Sequence, residues 1–265
     1  MNKMMIPIME MKSSDLNLRQ PDRLGMKYSV IYFLGCNQNC IFCYQQNLDL
    51  KGLKRRMLGL IDFSKIKNFA IEQIKLGHPI KISGGEPLLY SEAVLRLLKI
   101  IKQEKGFVAM DTNGTRPDIA KKAAKYLDIM GLDVKSPPDK IEFYTGRKKD
   151  FSYDLPLETL KQSKNFPCKI EFKRVMFKGS KIGELEHFYP FAAHAYWILK
   201  QARPFPENRL KRIKDYQKNW IEPIQKNTLL NIMNKFVSKH PDLKERIVSI
   251  TGSTRELKNY HYPIR

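Results

Sequence analysis

Apolar positions along this chain recur with two alternating periods, and each change of period predicts a new element. KYSVIYFLG (27–35) is a run of β-branched and aromatic residues closed by glycine, which predicts a strand. In 62–77 the apolar residues fall at 66, 69, 70 and 74, one face of a helix, and a glycine ends the segment. The alternation then repeats. Strands are predicted at 79–85, 107–114, 128–136, 169–179 and 195–205, and helices at 91–106, 116–127, 155–166 and 181–194. Pro117 near the start of the third helix suits a first turn, whose amide has no intrahelical acceptor.

Six strands separated by helices of about 10–15 residues imply βα units and a parallel sheet. The expected fold is α/β, with residues 1–26 as an N-terminal segment, 27–205 as the core and 206–265 as a basic C-terminal extension. Within the extension, 227–240 reads as an amphipathic helix ending before Pro241, and 246–253 as a strand. Trp220, Tyr260 and Tyr262 there read as core rather than contact residues. In parallel βα arrays ligands gather at the carboxyl ends of the strands. The unusual polar residues sit at those ends: three cysteines after strand one, SGGEP (83–87) after strand two, DTNG (111–114) after strand three, DVKS (133–136) after strand four, and Gln201 and Arg203 after strand six.

Composition narrows the class. The chain has 265 residues, 42% hydrophobic and 28% charged, enough for a full core and ordinary for a globular protein. No apolar run is long enough to span a bilayer, and the first residues lack the basic-then-apolar layout of a secretion signal. The expected location is therefore the cytoplasm, where thiols stay reduced, with no membrane partner. A net charge of +21 attracts phosphates, nucleic acid or an acidic partner; it equally describes a solvated basic shell. The basic clusters at 53–57, 145–150 and 209–218 hold few aromatics and match no RNA- or DNA-reading motif.

Cys36, Cys40 and Cys43 have the spacing C-x3-C-x2-C, which in a reducing compartment points to a metal rather than disulfides. Zinc usually takes four protein ligands, and here there is no second cysteine pair and no nearby histidine. The fourth cysteine, Cys168, opens a strand and reads as a small buried apolar residue. Three thiolates suit a cubane [4Fe–4S] cluster with one iron left open.

The cysteine spacing with Phe42 inside it, followed by Ser83-Gly84-Gly85-Glu86 after the second strand, resembles the radical S-adenosylmethionine (SAM) superfamily. The resemblance covers roughly 27–205 and implies a partial (β/α)6 TIM-like barrel. It implies a [4Fe–4S] cluster on Cys36, Cys40 and Cys43, whose open iron is chelated by SAM, and reductive cleavage to a 5′-deoxyadenosyl radical that takes a substrate hydrogen. Gly84 and Gly85 would let backbone approach the methionine moiety, and Glu86 would accept from its amine; the bland alternative for Glu86 is a helix cap. Phe42 and Tyr44 would lie against the adenine, or form a plain hydrophobic flank. Within the superfamily, DTNG, LDVKS and the later FKG resemble activating enzymes of the pyruvate formate-lyase and anaerobic ribonucleotide reductase kind. That branch implies Asp111, Asn113 and Lys135 near the SAM carboxylate or ribose, and Gln201 near the adenine. Gln201 stands near where such activases place a histidine, and Tyr44 where they often have one, so the chain departs from the branch at both positions. The implied partners are a glycyl radical enzyme or other substrate protein and an electron donor such as ferredoxin or flavodoxin. The alternatives are modification of RNA or a nucleotide-like small molecule, suggested by the charge, and a non-enzymatic electron carrier.

Overall fold

A computed structural model describes residues 3–14, 26–43, 58–204, 221–251 and 260–261. The six predicted strands all form: β2 (Ser29–Phe33), β4 (Ile80–Gly84), β5 (Val108–Thr112), β6 (Ile129–Asp133), β7 (Lys169–Met176) and β8 (Tyr196–Gln201). They lie side by side in chain order and pair in parallel. The helices between them are α1 (Phe63–Lys75), α2 (Ser91–Gln103), α3 (Pro117–Ala124), α4 (Ile141–Thr145), α5 (Leu155–Gln162) and α6 (Ile182–Ala192). This is the partial (β/α)6 barrel expected from the sequence. α1 begins where the Asp62 carboxylate accepts from the Ser64 amide at 2.9 Å, satisfying one of the free first-turn donors.

The sheet extends beyond the six strands at both edges. β1 (Met5–Lys12) pairs antiparallel with β2, and β3 (Gly59–Asp62) pairs antiparallel with β1. At the other edge α7 (Lys226–Lys239) leads to β9 (Ile247–Ile250), parallel to β8, and β10 (Tyr260–His261) closes the ten-stranded order. The sequence pattern had anticipated α7 and β9, but not β1, β3 or α4. Pro7 and a register shift between Ile8 and Glu10 break the alternation of β1, and α4 is only five residues long.

Alternation along the strands divides the residues between two faces. Ile31, Phe33, Ile82, Met110, Leu132, Phe172, Trp197 and Leu199 point outward and join the helices in one continuous core. The inner face is layered. Tyr28, Val30, Ala109 and Ile129 close one end with a small apolar plug. Above it β4, β5, β7 and β8 place Lys81, Asp111, Glu171, Lys173 and Lys200, where a packed apolar barrel would place branched side chains. Such residues are almost never buried unless paired, so this inner face is where chemistry would concentrate.

Candidate functional site

The cysteine segment leaves β2 and is fixed from outside. The Asn39 and Ile41 amides donate to the Thr145 and Tyr144 carbonyls at 2.8 and 3.0 Å, and the Arg147 guanidinium donates to the Asn37 carbonyl at 2.9 Å. α4, absent from the sequence reading, is thus the buttress of this loop. Phe42 sets its ring edge on Tyr144 and Phe177, with centroids 5.8 and 5.3 Å away. The hydrophobic flank weighed for Phe42 is therefore present. Tyr44 lies outside the described residues. Cys36 is exposed, Cys43 half-buried and Cys40 buried. Burial pushes the Cys40 thiol up to about 12, against the pull of Lys135.

The SGGE loop packs directly on the cysteine loop. The Gly85 amide donates to the Phe33 carbonyl at 2.9 Å, and the Glu86 amide to the Gly35 carbonyl at 2.8 Å. Gly84 has φ +114°, and a Cβ on Gly85 would fall 1.7 Å from the Gly35 carbonyl oxygen. The close approach that demands these glycines is made by the chain's own backbone. Glu86 is fully buried, and its carboxylate accepts from the Leu88 amide at 3.0 Å, the Thr112 hydroxyl at 2.7 Å and the Asn113 amide at 2.7 Å. It caps the short 3-10 turn Pro87–Tyr90 and ties β4 to β5. Burial raises its pKa, while those donors pull it down.

Asn113 stands where the two loops meet. Its side-chain amide donates to Asn37 Oδ1 at 2.9 Å and lies 3.7 Å from Cys36 Sγ, in reach of a weak N–H···S bond. Lys135 follows β6 and pairs with Asp133 at 3.1 Å. Burial alone would lower the Lys135 pKa, but Asp133 and the Cys40 and Cys36 thiols hold it above its ordinary value. Asp111 turns into the barrel, 2.5 Å from the Lys173 ammonium, 3.3 Å from that of Lys81 and 3.5 Å from the Ser83 hydroxyl. Although burial opposes it, these cations hold the Asp111 carboxyl below the usual range. Gln201 faces the other way: its side-chain amide donates to the Ile224 carbonyl at 2.5 Å and anchors the segment before α7. Alternation turns its neighbour Lys200 inward, and sequence reasoning missed that residue. The missed signal was the position of a lysine on the inner face of a strand whose register was not yet known.

By its chemistry the donor set suits a cubane cluster, while among the described residues no three metal-binding side chains already converge on one point. It comprises three soft sulfur ligands in one loop, an N–H aimed at one of them, and the Lys135 ammonium close enough to favour thiolate. No helix among the described residues is long and apolar enough to cross a membrane.

A half-wound parallel barrel presenting three thiols at the carboxyl end of its first parallel strand defines a class: an α/β enzyme built around a metal–sulfur cofactor. Residues 30–192 match the Radical SAM superfamily, and the chain belongs to it. The cofactors of that superfamily are a [4Fe–4S] cluster and SAM. The chain is 24% identical over 172 residues to 7-carboxy-7-deazaguanine synthase of Methanocaldococcus jannaschii, covering 62% of this chain and 69% of that protein. It is 34% identical over 125 residues to a putative glycyl-radical enzyme activating enzyme of the same organism, covering 46% and 49%. Streptococcus suis SuiB bound to S-adenosylmethionine shares the fold, with TM-score 0.57 and 17% identity over 84% of this chain and 50% of that one.

Proposed function

We propose that Cys36, Cys40 and Cys43 hold the [4Fe–4S] cluster and that the rim formed by Gly84, Gly85, Asn113 and Lys135 holds SAM beside it. When bound, cluster and SAM together supply a 5′-deoxyadenosyl radical that abstracts a hydrogen atom from substrate. The observation that carries this reading is the junction of the two loops: Gly85 and Glu86 bond to the backbone at Phe33 and Gly35, immediately before Cys36. That junction fixes the cysteine segment relative to β4. Asn113 extends it to Cys36, and Lys135 supplies a cation suited to a carboxylate. Glu86 supports the rim by bridging β4 and β5 through three donors, and its carboxylate keeps acceptor capacity for the amine of SAM.

For the substrate, the buried charges of the barrel favour a small anionic or nucleotide-like molecule that enters the inner face. Similarity to a deazaguanine synthase accords with a small substrate. Activation of a glycyl radical enzyme, with a peptide as substrate, is the second reading, and the 34% identity to a putative activating enzyme favours it.

The test is anoxic reconstitution. Wild type should hold about four irons and four sulfides per chain and, with SAM and a strong reductant, release 5′-deoxyadenosine and methionine. Cys36→Ala, Cys40→Ala and Cys43→Ala should each lose the cluster, whereas Cys168→Ala should keep it. An intact cluster that binds no SAM and releases no 5′-deoxyadenosine would sink the reading.

A further inference from the structure

The inner face of the barrel holds ammonium and carboxylate groups in nearly matched pairs. Lys173 contacts Glu171 at 3.0 Å and Asp111 at 2.5 Å, Lys81 contacts Asp111 at 3.3 Å, and Lys135 contacts Asp133 at 3.1 Å. One inner-face ammonium is left over. Lys200, half-buried on β8, makes no ion pair or hydrogen bond among the described residues. Its electrostatic surroundings are Asp133 and Asp111 on one side of the balance and Lys173 and Lys81 on the other. Lys81, buried and facing the Tyr28 ring at 5.3 Å, has the Asp111 carboxylate at 3.3 Å as its counter-charge but makes no hydrogen bond to it. Gly131 makes room for the neighbouring Asp111–Lys173 pair. A Cβ on Gly131 would fall 2.3 Å from an Asp111 carboxylate oxygen and 2.7 Å from Lys173 Nζ, so any larger residue there would displace the pair.

A half-buried ammonium with no ion-pair partner gains from a counter-charge that arrives beside it. We infer that Lys200 is the anchor of a subsite in the barrel for a carboxylate or phosphate group of a small substrate, with its charge completed by that anion. This inference rests on the proposed small-substrate reading and names the group by which such a substrate is held. Lys135 stands at the rim beside the cysteines, whereas Lys200 belongs to the inner-face charge cluster, so the two would take different anions. In support, burial together with Lys173 lowers the Lys200 pKa to about 8, although Asp133 opposes the shift. An arriving anion would reverse that.

The experiment uses the reconstituted protein with SAM present and measures two quantities. The first is binding of inorganic phosphate and, separately, of acetate, by calorimetry in 0.2 M chloride to suppress surface binding. The second is the pH midpoint at which Lys200 is acetylated by trace acetic anhydride, read by peptide mass spectrometry. One saturable site is expected for whichever anion fits, and the Lys200 midpoint should rise by about a unit when that anion is bound. The arm that saturates identifies the group as carboxylate or phosphate. Lys200→Met should lose the site, Lys200→Arg should retain it more weakly, and Lys148→Gln, on the exposed surface, should retain it in full. The inference is overturned if neither anion saturates, if Lys200→Met still binds, if the midpoint does not move, or if saturating SAM abolishes the site, which would assign Lys200 to SAM itself. Because none of these readouts needs turnover, failure of SAM cleavage would sink the radical reading and leave this one standing.

Discussion

Glu86 illustrates how a residue's environment decides its work. Its carboxylate holds a hydroxyl and two backbone amides that have no water to turn to. Glu86→Ala should therefore lower stability by about 2–4 kcal/mol in urea unfolding, since each buried donor left unmet costs about 1–3 kcal/mol and local relaxation recovers part of the sum. A change below 1 kcal/mol would contradict the enclosed network. Lys200 should behave oppositely. Its folded pKa of about 8 lies below the ordinary 10.5, so between these values the unfolded state binds more protons and stability rises with pH. Below pH 8 both states are protonated and the burial penalty is fully present. In the absence of anion, Lys200→Met should thus gain about 1–3 kcal/mol at pH 7, and the gain should shrink toward pH 10. Urea titrations at pH 7 and pH 9.5 would show it; an equal difference at both would exclude a depressed pKa.

At the scale of elements, the decisive contact is the one between the loop after β2 and the loop after β4. Both run through glycines because their backbones touch. Gly85→Ala would force them apart, since a fixed carbonyl rather than a flexible side chain occupies the space a Cβ needs. The expected outcome is a loss of about 3 kcal/mol or more together with reduced iron incorporation, checked by thermal unfolding and iron analysis. Retained iron with full stability would mean that the loops can separate freely. Arg174 makes a comparable link on the outer face of β7, pairing with Glu184 of α6 at 2.5 Å and donating to the Lys135 carbonyl. It braces the strand end that carries Lys135. Arg174→Met should cost about 1–3 kcal/mol, because the Glu184 carboxylate keeps Lys140 at 3.2 Å but loses one donor, as does the Lys135 carbonyl.

Across the whole molecule, the parallel core depends on strands from beyond it. β9 covers the edge of β8, and α7 buries Leu229, Met233 and Phe236 against the outer face that contains Trp197. Removing residues 221–265 would uncover that face and leave β8 with a row of free amides and carbonyls. The shortened protein should aggregate, as light scattering would report; a monodisperse product that still takes up iron would show the core to be self-sufficient. β1 and β3 protect the opposite edge through antiparallel pairing.

The order of the six parallel strands and their helices was legible in the sequence, because hydrophobic period and glycine punctuation are local properties that survive folding. So was the run of three cysteines within eight residues, a local feature that needs no long-range contact to be seen. What the tertiary structure alone decided was the direction in which each rim residue faces and what it meets there. Glu86 met donors from β5, Asp111 met lysines from β4 and β7, and Gln201 met the chain ahead of α7, all brought close by strand pairing. A shift of one residue in register would have exchanged Gln201 for Lys200 on the inner face. Register is set by packing over the whole sheet, which is why the sequence placed both residues at the end of one strand while only the fold chose which of these neighbours faces inward.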